Sequence, residues 1–262
     1  MTVNANGGAA QPSVSVLPDA AALAHAAAER FVDASARAIA GHDRFVVALS
    51  GGSTPRRMFE LLAREPFASR VSWSRVHVIW GDERCVPPTN PESNFRMARG
   101  ALLDHVPLPA ANIHRVHGEE DPVRAAESYE TALRELLRTP IGPPSSEPGR
   151  NIDLALLGLG ENGHTASIFP GSASVNERVR WVMADYVPAV SMWRITLTVP
   201  VLNAAAEVLF LVSGDAKAGV IERVLEGPRR THELPAQLIA PTHGHLVWMI
   251  DRAAAAQLHD HP

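Results

Sequence analysis

Short apolar runs recur along the chain at residues 45–49 (Phe-Val-Val-Ala-Leu), 75–80, 153–157, 207–212 and 245–250, and the stretches between them carry helical spacing. Strands with little polar alternation are covered on both faces, and strands that alternate with helices build a mostly parallel sheet. The expected fold is therefore α/β: a doubly wound, mostly parallel sheet with helices on both faces. Residues 18–41 place Leu23, Ala27, Phe31, Ala34 and Ala38 at helical spacing. Further helices are expected over 55–64, 94–105, 123–138 and 215–226, the first with Thr54 as N-cap and Pro55 as first helical residue. Residues 181–187 and the alternating 194–199 read as additional strands, and 245–250 as the strand that closes the sheet. The Pro/Gly/Ser-rich stretch 140–149 is a surface connection and no domain boundary, because the pattern continues on both sides. One domain over 13–262, after a disordered lead-in over 1–12, is the expectation.

Charge and cysteine usage narrow the class of function. The net charge of −4 and the absence of a Lys/Arg run argue against nucleic acid as a partner, so an anionic small molecule would need local cations. No apolar run reaches the roughly 18–20 residues of a membrane span, and nothing marks an obligate protein partner. The N-terminal residues lack the basic and apolar regions of a secretory signal, and the one cysteine, Cys85, forms no internal disulfide. A reducing, cytoplasmic location follows as the expectation.

The segment Asp153-Leu-Ala-Leu-Leu-Gly-Leu-Gly-Glu-Asn-Gly-His164 reads as a buried strand and a glycine-rich turn that delivers one imidazole. Histidine has an unperturbed pKa near the operating pH, which suits a general base, and an acid limb near that ordinary value is expected. Gly158-Leu-Gly-Glu-Asn-Gly163 also matches the dinucleotide fingerprint, with Asp185 near the spacing of a ribose-binding acid. The third glycine of that fingerprint should open a long helix, whereas His164 follows at once and Pro170-Gly171 cuts any helix short. The remaining histidines are scattered without a zinc-site spacing, so no metal is expected. Cys85 paired with His164 would be a nucleophile without a local signature; a structural thiol fits better.

Ser50-Gly-Gly-Ser-Thr-Pro55 lies between a strand and a helix start, where free N–H groups and the helix dipole favour an anion. Gly51 and Gly52 clear the approach, and Ser53 and Thr54 add hydroxyl donors. An ordinary capped turn explains the loop equally well. Lys217 shifts the balance, since a cation in the first turn of a helix opposes the dipole and makes sense beside a bound anion. Arg194 opens an otherwise apolar and Thr-rich strand, and its planar fork suits phosphate or carboxylate.

Taken together, Ala48-Leu-Ser-Gly-Gly-Ser-Thr-Pro55, Trp80-Gly-Asp-Glu-Arg-Cys-Val-Pro87 with Ser93-Asn94, and Leu156-Leu-Gly-Leu-Gly-Glu-Asn-Gly-His-Thr-Ala-Ser-Ile-Phe-Pro170 resemble the 6-phosphogluconolactonase family. Arg194-Ile-Thr-Leu-Thr198 and Gly214-Asp-Ala-Lys217 match later motifs of that family in order, so the likeness runs from about Leu17 to Asp251. The resemblance implies a Rossmann-like fold shared with sugar-phosphate isomerases. It also implies a cofactor-free esterase acting on 6-phospho-D-glucono-1,5-lactone in the oxidative pentose phosphate pathway. The related glucosamine-6-phosphate deaminase/isomerase group carries Asp where Asn162 stands and a Glu in the region of Phe169-Pro170. Isomerisation needs more than one acid/base group, so these residues favour the lactonase. A sugar-phosphate-sensing regulatory module on the same fold would bring a DNA-binding segment that the sequence lacks.

On this reading His164 takes a proton from the water that attacks the lactone carbonyl and returns it to the ring oxygen. Loop N–H groups at Asn162 and Gly163, with Arg84, stabilise the oxyanion; Arg84 can serve the phosphate instead. Asp82 orients His164 or caps the loop, and Glu83 is structural or exposed. Gly51, Gly52, Ser53, Thr54, Arg194 and Lys217 hold the 6-phosphate.

Overall fold

The computed structural model of the protein describes residues 12–138 and 152–259, so the 140–149 connection and all but the end of the 1–12 lead-in lie outside the described residues. Six parallel strands form the main sheet in the order β1-β9-β8-β5-β2-β3. They are β1 (Ser13–Leu17), β2 (Phe45–Leu49), β3 (Val76–Trp80), β5 (Leu154–Leu157), β8 (Glu207–Val212) and β9 (His245–Asp251). Every residue of β2, β5 and β8 is buried, which is why those segments read as continuous apolar runs. The chain steps from β2 outward to β3 on one side, while β5, β8 and β9 follow on the other. The winding therefore reverses between β2 and β5, and in such sheets ligands bind in the crevice beyond the carboxyl ends of the strands at that point.

Helix α1 (Ala20–His42) starts where the Asp19 carboxylate accepts the Ala21 and Ala22 N–H groups at 2.9 and 2.8 Å. Its stripe Leu23, Ala27, Phe31, Ala34 and Ala38 is buried, with the Phe31 ring edge-on to Phe45 at 5.3 Å. Helix α2 (Ser53–Leu62) lies beside α1 and leads to β3. Helices α3 (Asn94–Ala101) and α4 (Pro122–Arg138) come next in the chain, then α5 (Val199–Asn203) and α6 (Ala218–Leu225).

Two parts of this architecture depart from the sequence expectation. The strand at 245–250 does not close the sheet; it is inside, and β1 pairs outside it from Ser13↔Val247 to Leu17↔Asp251. A second, antiparallel sheet also forms, from β4 (Asp82–Arg84), β7 (Met192–Leu197) and β6 (Val182–Val187), in the order β4-β7-β6. Gly81 joins the two sheets: its N–H donates to Leu49 O at 2.9 Å and its carbonyl accepts from Leu197 N at 2.8 Å. That junction brings β4 and β7 to the carboxyl end of β2.

Candidate active site

The loop after β2 turns into a helix two residues earlier than expected. Gly52 caps α2 with φ +101°, a conformation favoured by glycine, and makes no side-chain cap. Thr54 is thus the second residue of α2 and not its N-cap. Pro55 falls third, still within the first turn, whose N–H groups have no intrahelical acceptor. The Ser53 and Thr54 N–H groups meet no backbone acceptor among the described residues, so they remain donors beside Gly51 and Gly52. The loop sits directly on Asn94: a Cβ added at Gly51 would come 1.9 Å from Asn94 Oδ1.

Strand β4 contributes Asp82, Glu83 and Arg84. Glu83 is buried, and its carboxylate accepts the N–H groups of Arg84, Asn94 and Phe95 and the Ser93 hydroxyl. It therefore anchors the start of α3, in a structural role. Arg84 donates through Nη1 to the Glu92 carbonyl and, at 2.7 Å, to Asn94 Oδ1. Pairing of β4 with β7 sets Arg84 opposite Arg194 and Asp82 opposite Thr196. Like charges directly opposite on neighbouring strands repel, and no carboxylate forms an ion pair with either guanidinium among the described residues. The Nε atoms of both arginines are buried without an acceptor. Orphaned charged donors are costly unless something negative completes them, and the chemistry of this pair suits an anion.

The loop after β5 closes on itself through Gly160 N–H to His164 O (2.8 Å) and Gly163 N–H to Gly160 O (2.9 Å). No helix follows Gly163, which removes the dinucleotide fingerprint; Asp185 is buried, accepting from Ser174 N at 3.0 Å. Because the Gly163 N–H is bonded within the loop, it is not the free oxyanion donor the sequence suggested. Gly163 instead supplies a turn at φ +82°, packed so closely on Leu234 that a Cβ would lie 2.5 Å from Cδ2. Asn162 faces the imidazole: its Oδ1 lies 2.6 Å from His164 Nδ1 and 3.2 Å from the His164 N–H. An amide oxygen only accepts, so this contact assigns the proton to Nδ1 and leaves the Nε2 lone pair free. No described group bonds Nε2.

The ring is clamped as well as oriented. Phe169 stacks on it at 4.0 Å and 17°, in the region where the deaminase group was expected to carry a second carboxylate. Beneath the ring, a Cβ at Gly160 would lie 2.0 Å from Nδ1. Gly160→Ala should therefore displace the imidazole and cut kcat by ~10-fold or more, with little change in Tm, because a small misplacement of a catalytic group is expensive. Full turnover in a folded Gly160→Ala protein would show that the ring position is unimportant.

Burial pushes the His164 pKa down to about 4, against the pull of Asp82, with Lys217, Arg194 and Arg84 adding to the depression. The imidazole is neutral at neutral pH. Asp82 acts on it through space and makes no bond to it. Its carboxylate accepts from Ser167 Oγ at 2.7 Å and lies 3.4 Å from Asn94 Nδ2, and its carbonyl accepts from Asn94 Nδ2 at 2.8 Å. Ser167 N–H in turn donates to Thr196 Oγ1 at 3.2 Å. Lys217 ends a short 3-10 turn before α6, with Nζ 3.8 Å from the exposed Glu161 carboxylate. Burial raises the Cys85 thiol to about 11, so it is no nucleophile at neutral pH.

The structure thus brings together His164, Asn162, Asp82, Arg84, Arg194, Lys217 and the 50–54 loop. Sequence reasoning gave no role to Asn94, Ser167 or Thr196. The signals were slight: Thr196 shares a strand face with Arg194 by period two, and Ser167 is a polar residue set in an apolar run. Two clefts of about 330 and 400 Å³ lie elsewhere, against α4 and beside Cys85, and hold neither His164 nor the arginines. Among the described residues no helix is long and apolar enough to cross a membrane.

Comparison with known proteins places the chain by family and fold. Residues 18–248 match the family model described as glucosamine-6-phosphate isomerases/6-phosphogluconolactonase. A 6-phosphogluconolactonase of a Nostoc species is 38% identical over 250 residues, covering 94% of this chain and 98% of its own. That of Haemophilus influenzae is 34% identical over 212 residues, covering 81% and 87%. Among solved structures, the 6-phosphogluconolactonase of Trypanosoma brucei superposes with a TM-score of 0.82 at 27% identity, covering 95% of this chain and 99% of that one. A monomeric glucosamine-6-phosphate deaminase, at 22% identity and a TM-score of 0.76, shares the fold. With its sheet order, its loop-borne imidazole and a match over most of its length, the chain belongs to the glucosamine-6-phosphate isomerase/6-phosphogluconolactonase family.

Proposed function

We propose that the protein hydrolyses 6-phospho-D-glucono-1,5-lactone to 6-phosphogluconate, with His164 as general base. The observation that carries the mechanism is the His164 ring, with Nδ1–H held by Asn162 and Nε2 free beside a cationic pocket. Water bonded to Nε2 loses a proton as its oxygen attacks the lactone carbonyl C1. The tetrahedral oxyanion collapses, the bond from C1 to the ring oxygen breaks, and the proton on Nε2 passes to that oxygen. Burial keeps His164 neutral, and the field of Lys217, Arg194 and Arg84 that adds to this effect also favours the negative charge developing at C1.

Arg84 joins Arg194 and the 50–54 loop at the 6-phosphate on this reading, since Asn94 ties Arg84 to the underside of Gly51. Lys217 completes the site from the loop after β8. Asp82, carried on the same strand as Arg84 and bonded to Ser167, is a positioning residue for the pocket beside the imidazole.

Purified protein should release acid from the phosphorylated lactone in EDTA without added nucleotide, and no ammonia from glucosamine 6-phosphate. One imidazole relays a proton between water and a leaving ring oxygen. Moving protons between C1 and C2 of an open sugar needs a second acid/base group, and Phe169 fills the place beside the ring. Ammonia release at a rate comparable to lactone hydrolysis would replace this reading with the deaminase.

A further inference from the structure

We infer that Asn94 is a positioning residue that aims Arg84 at the 6-phosphate. The inference rests on the reading that Arg84 serves the 6-phosphate. Asn94 is buried at the start of α3, held by its own N–H to Glu83, and its side-chain amide is spent on the site. Nδ2 donates to the Asp82 carbonyl at 2.8 Å; Oδ1 accepts from Arg84 Nη1 at 2.7 Å; Gly51 lies over Oδ1 so closely that no Cβ fits. One side chain thus touches the loop after β2, the strand after β3, and the guanidinium between them.

The donor count shows what this does to Arg84. A guanidinium has five N–H donors, two of them on Nη1. Both Nη1 hydrogens are taken, by the Glu92 carbonyl and by Asn94. The Nε–Nη2 edge has no acceptor among the described residues, and Nε is buried. That edge is the one that meets a phosphate with two parallel bonds. Without Asn94, Arg84 would keep one tether and could swing away from Arg194, which faces it across the strand pair and repels it.

The test compares kcat/KM for 6-phosphogluconolactone with that for unphosphorylated gluconolactone. Asn94→Ala should lower this selectivity by ~10-fold, the scale of one hydrogen bond to a charged group, mainly through KM for the phosphorylated substrate. Its pH profile on the unphosphorylated lactone should not move, because His164 is held by other residues. Arg84→Ala should lower selectivity at least as far, and Asn94→Ala in the Arg84→Ala background should change it by no more than about twofold, as expected when one residue acts through the other. An additive double mutant, or wild-type selectivity in Asn94→Ala alongside a clear loss in Arg84→Ala, overturns the inference and leaves the role of Arg84 standing. Unchanged selectivity in Arg84→Ala overturns the reading beneath it.

Asn94→Ser gives the same answer if Asn94→Ala does not fold, because it keeps a polar group at the buried start of α3 while its hydroxyl is too short to hold Arg84 Nη1. Selectivity should fall in the wild-type background and stay level in Arg84→Ala; an equal fall in both backgrounds counts against Asn94.

Discussion

Replacing His164 with alanine should lower kcat on the phosphorylated lactone by ~10²–10⁴-fold, the usual worth of a positioned acid/base, with KM nearly unchanged. The phosphate contacts come from other loops, so binding in the ground state survives the loss of the imidazole. A folded variant that keeps more than a tenth of wild-type turnover would remove His164 from the mechanism.

The same group sets the pH dependence. Sequence reasoning put the acid limb near the ordinary histidine value, but burial and the neighbouring cations move it down to about 4. Lowering the pKa of a base keeps it deprotonated to lower pH. kcat/KM on unphosphorylated gluconolactone should therefore hold level from neutral pH to about 5 and halve near the lowered pKa of about 4. The unphosphorylated lactone is the cleaner probe, because a sugar phosphate has its own second ionisation near about 6. Asn162→Asp would set a carboxylate at Nδ1, favouring the protonated ring and raising the half-point by ~1–3 units. A wild-type half-point at the ordinary histidine value would show that the ring is not desolvated in solution.

How much of this was legible depends on how local the cause is. The strands β2, β5 and β8 were read from composition alone because burial on both faces leaves them apolar but for Glu207 at the start of β8. Strand β1 was missed. It is a mostly exposed edge strand of alternating Ser and Val, and its partner, β9, lies at the other end of the chain. The second sheet was invisible as a sheet for the same reason: Asp82–Arg84 is three residues long and becomes a strand only by pairing with β7. Gly52 took the capping position from Thr54 because a glycine readily adopts the positive φ that lets the helix begin earlier. At the site, the titratable and cationic groups announced themselves by type. Asn94 and Ser167 did not, since a neutral polar residue reveals a role only through the partners that the fold brings to it.

Arg194→Ala should raise KM for 6-phosphogluconolactone by ~10–150-fold, corresponding to about 1.5–3 kcal/mol for a charge-assisted bond in a dry site, and leave unphosphorylated gluconolactone almost untouched. Arg194 is 8% exposed, forms no ion pair with a carboxylate among the described residues, and has its Nε buried without an acceptor. Burial and the Arg84 guanidinium beside it pull its pKa down, so its charge is held at a cost that a phosphate dianion would relieve. Lys217 differs in each respect. Its side chain is 24% exposed, and Nζ already has the Glu161 carboxylate at 3.8 Å. A wetter, partly compensated charge gains less from an anion, so Lys217→Ala should raise the same KM by only ~2–13-fold, the range of an ordinary hydrogen bond. Removing Arg194 also relieves Arg84 of its like-charged neighbour, so the variant should fold at least as stably as the parent by Tm. Equal losses on the two lactones would show that Arg194 acts on the reacting carbon and not on the phosphate. A larger effect from Lys217 than from Arg194 would mean that the anion sits nearer the loop after β8 than the β4–β7 pair.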